Sequence, residues 1–124
     1  MVMRSNETMS ADDGCILETN SDSIDGVRVR QTDTGLLHAF VGVADAAITS
    51  GNYGLIQVYG YRSTSRVFQT NTSIDTGTPL VPVAGAAYVQ SFASSNVPYA
   101  VLLETIVSAA ASATISKKIF IRAM

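Results

Sequence analysis

Short apolar runs alternate along this chain with clusters of glycine, serine, threonine, asparagine and aspartate. Within the runs, apolar and polar residues often take alternate positions, most clearly at residues 27–30, where two valines alternate with two arginines. This period of two is typical of a β-strand with one buried face. We therefore expect eight or nine short strands. In chain order they are residues 15–18, 27–30, 36–44, 55–60, 66–69, 80–83, 86–92, 99–104 and 113–122.

Strands this short, separated by closely spaced turn signals, predict an all-β fold. The expected architecture is an antiparallel β-sandwich or barrel of about eight short strands, formed by residues 14–124 as a single domain. Residues 1–13 are polar and have no periodicity, so we expect a flexible N-terminal arm. Such an arm is either a disordered end or a strap that orders on a neighbouring subunit. Residues 104–112 contain alanines, and both a short helix and a loop or hairpin crossing remain open there.

Two similar phrases occupy residues 48–55 and 74–81. Each begins with isoleucine, continues through two small polar or acidic residues to a glycine, and leads through two more turn residues to an apolar run. Glycine reaches backbone conformations that β-branched residues adopt only at a cost. We therefore expect Gly51 and Gly77 to form equivalent corners of one sheet-built domain.

The composition argues against several classes of partner. Hydrophobic residues make up 47% of the chain and charged residues only 15%, against about 25% charged in an ordinary globular domain. The net charge is −2, so there is no basic field to attract nucleic acid. The first residues lack the apolar segment of a signal peptide, and no apolar run could span a bilayer. We expect synthesis in a host cytoplasm, with no nucleic-acid or membrane partner.

Residues that could perform catalysis or bind metal are sparse. Cys15 and His38 are the only cysteine and the only histidine. We expect Cys15 to be a small buried hydrophobe and His38 to be a packed or interface side chain in the middle of a strand. Asp45, Asp75 and Glu104 could supply a carboxylate pair for glycoside hydrolysis, but nothing in their spacing favours it. The sequence predicts no catalytic residue, no metal ligand and no cofactor, and thus a protein that is not an enzyme.

The order and spacing of several blocks resemble the head-decoration, or cement, proteins of tailed bacteriophages. These blocks are residues 40–44, 48–51, 53–60, 74–81, 99–104 and 118–122. The resemblance covers roughly residues 36–122, and Leu55 departs from it because a large aromatic residue is expected there. It implies a β-rich virion protein on the exterior of the capsid, commonly a homotrimer, that binds the major capsid protein and stabilises contacts between its copies.

A candidate interface is the aromatic and arginine cluster that begins at the end of the fourth expected strand. Its members are Tyr59, Tyr61, Arg62, Arg66 and Phe68. Tyrosine and arginine are enriched at interface hot spots. The alternative is that these five are ordinary strand and turn residues. Two alternative functions remain: a tail, neck or fibre-base component of a phage, and a small carbohydrate-binding β domain. The absence of tryptophan counts against sugar binding.

Overall fold

The computed structural model describes residues 1–19, 27–32, 37–69, 72–83, 86, 88–91, 98–107 and 112–123. These residues form an all-β protein, as the period-two pattern predicted, with one short 3₁₀ turn at Leu37–Ala39. The strands are β1 Val2–Ser5, β2 Gly14–Leu17, β3 Arg28–Gln31, β4 Phe40–Ala44, β5 Tyr53–Gln57, β6 Tyr59–Arg62, β7 Arg66–Gln69, β8 Pro79–Pro82, β9 Val89–Ser91, β10 Ala100–Leu102, β11 Ala113–Ser116 and β12 Ile119–Arg122.

The first five strands form a closed barrel in the order β1-β3-β2-β4-β5, with β5 returning to β1. All its pairs are antiparallel except β1 with β3. Closure removes the unpaired edges that an open sheet would leave. The barrel encloses its own hydrophobic cluster: Met3, Met9, Cys15, Val29, Ala44, Ile48 and Ile56.

The remaining strands form a seven-stranded sheet in the order β11-β7-β9-β8-β10-β12-β6. A second hydrophobic cluster lies between this sheet and the barrel, because Ile16, Phe40 and Val43 of barrel strands β2 and β4 belong to it. The sheet and the isolated bridge between Ile74 and Ile106 contribute the other buried members: Val67, Ile74, Leu80, Val89, Ala100, Leu102, Ile106, Ile119 and Ile121.

Strands β7–β11 repeat the topology of β1–β5. In both sets the first strand pairs with the fifth and, in parallel, with the third, while the second pairs with the third and the fourth. The order β11-β7-β9-β8-β10 in the sheet therefore matches β5-β1-β3-β2-β4 in the barrel. The extra strands β6 and β12 follow the fifth strand of each set and pair with each other, with Tyr59 opposite Arg122 and Arg62 opposite Ile119. The strands of the described residues thus form two equivalent six-stranded repeats.

The hydrogen bonds at the corners confirm the equivalence residue by residue. Met9 and Ile48 form an isolated antiparallel bridge in the first repeat, and Ile74 and Ile106 form one in the second. Asp12 and Gly77, three residues after Met9 and Ile74, both have positive φ, at 69° and 91°. Their amides donate at 2.9 Å to the carbonyl of Ala44 and at 2.8 Å to that of Leu102, four residues before the bridging partner in each case.

Gly51 and Gly77 form corners of the same local geometry, but they are not counterparts in the two repeats. Gly51 has φ 82°, and its amide donates to Ser5 as the amide of Gly77 donates to Leu102. The two corners lie in different sheets, and the counterpart of residues 74–78 in the first repeat is residues 9–13. Asp12 there takes the positive φ that glycine takes elsewhere, which aspartate tolerates better than most residues.

The repeats differ in closure. In the first, β4 pairs with β5 and shuts the barrel. In the second, β10 pairs with β12, so β11 lies at one edge of the sheet and β6 at the other.

Two expectations need correction, and one open alternative is resolved in part. Residues 1–13 are not a flexible arm, because β1 is a barrel strand and Met3, Met9 and Asp13 are buried. Residues 55–60 and 113–122 are not single strands: the first region is divided between β5 and β6 at Val58, and the second between β11 and β12 at Lys117–Lys118. Of residues 104–112, Ile106 forms a bridge and no helix is present at 104–107, while 108–111 lie outside the described residues.

Candidate interaction surface

Arg62 of β6 joins the seven-stranded sheet to the barrel from a buried position. Its side chain is 7% exposed at the end of β6. Nε and Nη2 donate to Asp12 Oδ1 at 3.0 and 2.7 Å, and Nη1 donates to Asp45 Oδ1 at 3.0 Å and to Gln57 Oε1 at 3.1 Å. Nη2 also donates to the carbonyl of Ala44 at 3.1 Å. The planar guanidinium can satisfy several acceptors at once, which a lysine ammonium cannot do in the same geometry.

Arg66 makes a second ionic link between the sheet and the barrel. Its Nη1 lies 2.8 Å from Oδ1 of Asp13, whose side chain is 1% exposed. The other oxygen of Asp13 accepts from the amide of Ser10 at 2.7 Å and from Gln31 Nε2 at 2.8 Å. Both arginines therefore connect the sheet to the barrel, Arg62 from a side chain that is 7% exposed and Arg66 from one that is 43% exposed. Their role at an interface stays a prediction.

Exposed apolar side chains alternate along β5 and β6. Tyr53, Leu55, Tyr59 and Tyr61 are 66, 56, 62 and 56% exposed, whereas Ile56 between them is fully buried. On the neighbouring strand, Val2 lies opposite Leu55 and is 58% exposed. We call Val2, Tyr53 and Leu55 the barrel face. A cluster of apolar side chains outside the core is typical of surfaces that bind other proteins.

The tyrosines of β6 lie beside aromatic residues of the sheet. The ring of Tyr59 meets that of Phe120 edge-on at 5.2 Å, and Phe120 pairs with Tyr61 across the strands. Phe68 lies elsewhere, stacked on Tyr88 at 5.3 Å between β7 and β9. Of the five candidate interface residues, only Tyr59 and Tyr61 thus share one exposed surface.

Sequence reasoning missed the barrel face and the acidic partners of the arginines. Val2 was assigned to the arm, and the strand predicted from Leu55 actually begins at Tyr53. The alternation of Tyr53, Leu55, Tyr59 and Tyr61 was the available signal. Nothing local in the sequence connects Asp12 or Asp45 with Arg62, because 50 and 17 residues separate them along the chain.

The reactive side chains do not gather into a site. Cys15 is fully buried, and this burial raises the pKa of its thiol to about 12. His38 is exposed in the 3₁₀ turn and not in a strand as predicted. Within the described ranges, no three His, Cys, Asp or Glu residues are grouped so that they could hold a metal ion. In the same described residues, no helix is long and apolar enough to cross a membrane.

The fold and surface define an all-β module built from a barrel and a second, opened copy of that barrel, with exposed aromatic side chains on its outside. No protein-family model and no curated protein matches the chain. Among solved structures, it is similar to the N base of the head fibre gp8.5 in bacteriophage phi29. The TM-score is 0.57 at 9% sequence identity, and the match covers 98% of this chain and 91% of that chain. At this level of identity the similarity establishes a shared fold.

Proposed function

We propose that this chain is a virion structural protein of a tailed bacteriophage that binds the outer surface of the head as a decoration, or cement, protein. Its partners in this proposal are the major capsid protein and further copies of itself, in a homotrimer. The proposal gives the chain no catalytic role, no cofactor and no nucleic-acid or membrane partner.

The observation that carries the proposal is the fold match to a head-fibre base over nearly the whole of both chains. A match of this extent compares one complete module with another, and not a shared sub-motif. It agrees with the resemblance of residues 36–122 to head-decoration proteins, which rests on independent sequence blocks. Both lines of support concern proteins of the phage head.

The surface suits attachment to a large shell. The barrel face combines Val2, Tyr53 and Leu55, all more than half exposed. Tyrosine and other large apolar side chains supply contact area at interfaces with little loss of conformational freedom. Many identical weak contacts around a capsid add through multivalency, so the barrel face need not bind tightly as a single patch.

A second candidate is the base of a head fibre. The similarity to a structure described as the N base of a head fibre favours it. Copy number separates the two functions: a decoration protein occupies the lattice in hundreds of copies, whereas a fibre base is present at fewer positions.

The test is binding of the purified protein to phage heads that lack it, measured by co-sedimentation and followed by imaging of the decorated particles. We expect saturable binding that Leu55→Ser weakens at least about tenfold, since it removes a large exposed side chain from the contact. Val107→Ser is the matched control, because Val107 is also exposed, at 77%, but lies outside the barrel face. Failure to bind heads, or density confined to the tail or neck, would overturn the proposal.

A further inference from the structure

The seven-stranded sheet has two open edges. In the described part of the chain, β6 pairs only with β12, and β11 pairs only with β7. The amide of Ala123 donates to the carbonyl of Val58. Along an antiparallel pair, every second residue points its backbone N–H and C=O toward the partner strand. Counted from Val58, the backbone groups of Tyr59 and Tyr61 therefore point away from β12.

The edge of β11 has the same arrangement. The amide of Lys117 donates to the carbonyl of Ser65, which continues the ladder between β11 and β7. Alternation then directs the backbone groups of Thr114 and Ser116 away from β7. Each edge therefore presents two outward-facing residues, separated by one residue.

The equivalent edges of the other repeat are occupied. In the barrel, the edge of β5 that corresponds to the open edge of β11 is paired with β4. The edge of β12 that corresponds to the open edge of β6 is paired with β10. Both occupants run antiparallel to the edge they cover. The fold itself therefore shows what each open edge accepts, namely an antiparallel strand.

Neither edge strand contains a proline or an exposed charge. Exposed charges, prolines and inward-pointing lysines discourage edge-to-edge contact. Strand β11 consists of Ala, Thr, Ile and Ser, and the only charge in β6 is the buried Arg62. On β6, Gln57 Nε2 donates to the carbonyls of Tyr61 at 2.8 Å and Tyr59 at 3.4 Å. This side chain occupies acceptors that a backbone N–H of another strand could satisfy.

The strand directions allow one copy to supply the partner of another. The pairings that connect β6 to β11 run through β12, β10, β8, β9 and β7, and all but the parallel pair β9–β7 are antiparallel. Strands β6 and β11 therefore run in opposite directions. A neighbouring copy in the same orientation would place its β11 antiparallel to β6. Only one register lets all four outward-facing residues pair, with Tyr59 opposite Ser116 and Tyr61 opposite Thr114.

We propose that copies of this chain associate by antiparallel pairing of β6 in one copy with β11 in the next, in that register. The contact is head-to-tail, so each copy uses two different edges, and a closed ring leaves none open. The proposal concerns the isolated protein and does not rest on binding to a phage head. A chain that forms the ring but fails to bind heads would refute the proposed function alone.

Register-specific crosslinking tests the pairing. In the double variant Tyr59→Cys/Ser116→Cys, directly opposed cysteines of adjacent copies fall within the Cα separation that a disulfide accepts. The control Tyr59→Cys/Thr114→Cys shifts one cysteine by two residues, to a diagonal position. After mild oxidation, we expect at least about tenfold more covalent oligomer from the first variant. The native Cys15 is buried and does not interfere.

Analytical ultracentrifugation of single variants tests the same edge without crosslinks. Thr114→Pro removes an outward N–H while leaving the ladder to β7 intact, which an edge position allows. We expect its half-association concentration to rise at least roughly tenfold, while Thr114→Val behaves as wild type. A wild-type monomer at roughly 100 µM would overturn the pairing. So would equal crosslinking of both cysteine pairs, crosslinking by Tyr59→Cys alone, or unchanged association of a folded Thr114→Pro.

Discussion

Truncation of Arg62 is the sharpest test of how the sheet is held to the barrel. Arg62→Ala removes five hydrogen bonds, three of them to Asp12 and Asp45. Loss of one partner from a buried ion pair costs about 3–5 kcal/mol, whereas an exposed pair contributes up to about 1 kcal/mol. The side chains of Asp12 and Asp45 are 23 and 55% exposed, so water can replace part of what they lose. We therefore expect Arg62→Ala to lower the free energy of unfolding by about 3 kcal/mol.

Urea unfolding at one fixed protein concentration measures this loss, with the free energy obtained by linear extrapolation. Arg62→Lys keeps the charge but not the forked geometry, so we expect it to recover less than half of the loss. Arg122→Ala is the matched control, since it removes the same charge from an exposed position on the strand paired with β6. The reasoning fails if Arg62→Ala lies within about 0.5 kcal/mol of wild type, which is the usual effect of a surface substitution, or if lysine restores full stability.

Three further outcomes follow from single positions. Gly51→Ala and Gly77→Ala each force a side chain into a left-handed conformation, at φ 82° and 91°. We therefore expect similar losses of roughly 1–2 kcal/mol in urea unfolding. Strongly unequal losses would show that the shared backbone geometry does not set the loss. A hydrogen bond from Lys117 lowers the pKa of Glu104. The pair therefore contributes stability above the unfolded-state pKa, and this contribution is lost as pH falls through the lowered folded-state pKa. Lys117→Met should reduce the fall in melting temperature between neutral and acidic pH. Burial raises the pKa of Cys15 to about 12, so a thiol reagent at pH 8 should leave the native protein unmodified and label it only after unfolding; rapid labelling of the native state would contradict this burial.

The sequence determines the local structure of this fold better than its long-range arrangement. Period-two alternation and turn residues locate most strands, and residues 66–69 form a strand with the predicted bounds. Strand β1 was missed because Val2–Ser5 has two apolar residues followed by two polar ones and so shows no alternation, and only its pairing with β3 and β5 makes it a strand. The repeat was hidden because its equivalent corners share geometry but not residues: Asp12 and Gly77 both have positive φ, and only one is glycine.

The candidate interface stays a prediction, and the sequence alone could locate only some of its exposed residues. Aromatic residues at Tyr59 and Tyr61 are exposed, as an interface requires. An arginine in a sequence can belong to an interface hot spot or to an ion pair within the fold. Which of the two roles it has depends on acidic residues that only the fold brings close. For Arg62 those are Asp12 and Asp45, and for Arg66 it is Asp13.

The junction of the two repeats explains why one barrel closes and the other does not. Ile119 and Ile121 of β12 are fully buried, and they reach the core only because β12 lies beside β10. That position is the one β11 would need to close the second barrel as β5 closes the first. Joining the repeats through β6 and β12 therefore leaves two antiparallel edges open, β6 and β11. A barrel that closed twice would have no such edges, whereas this arrangement gives each copy one edge to offer and a complementary one to accept.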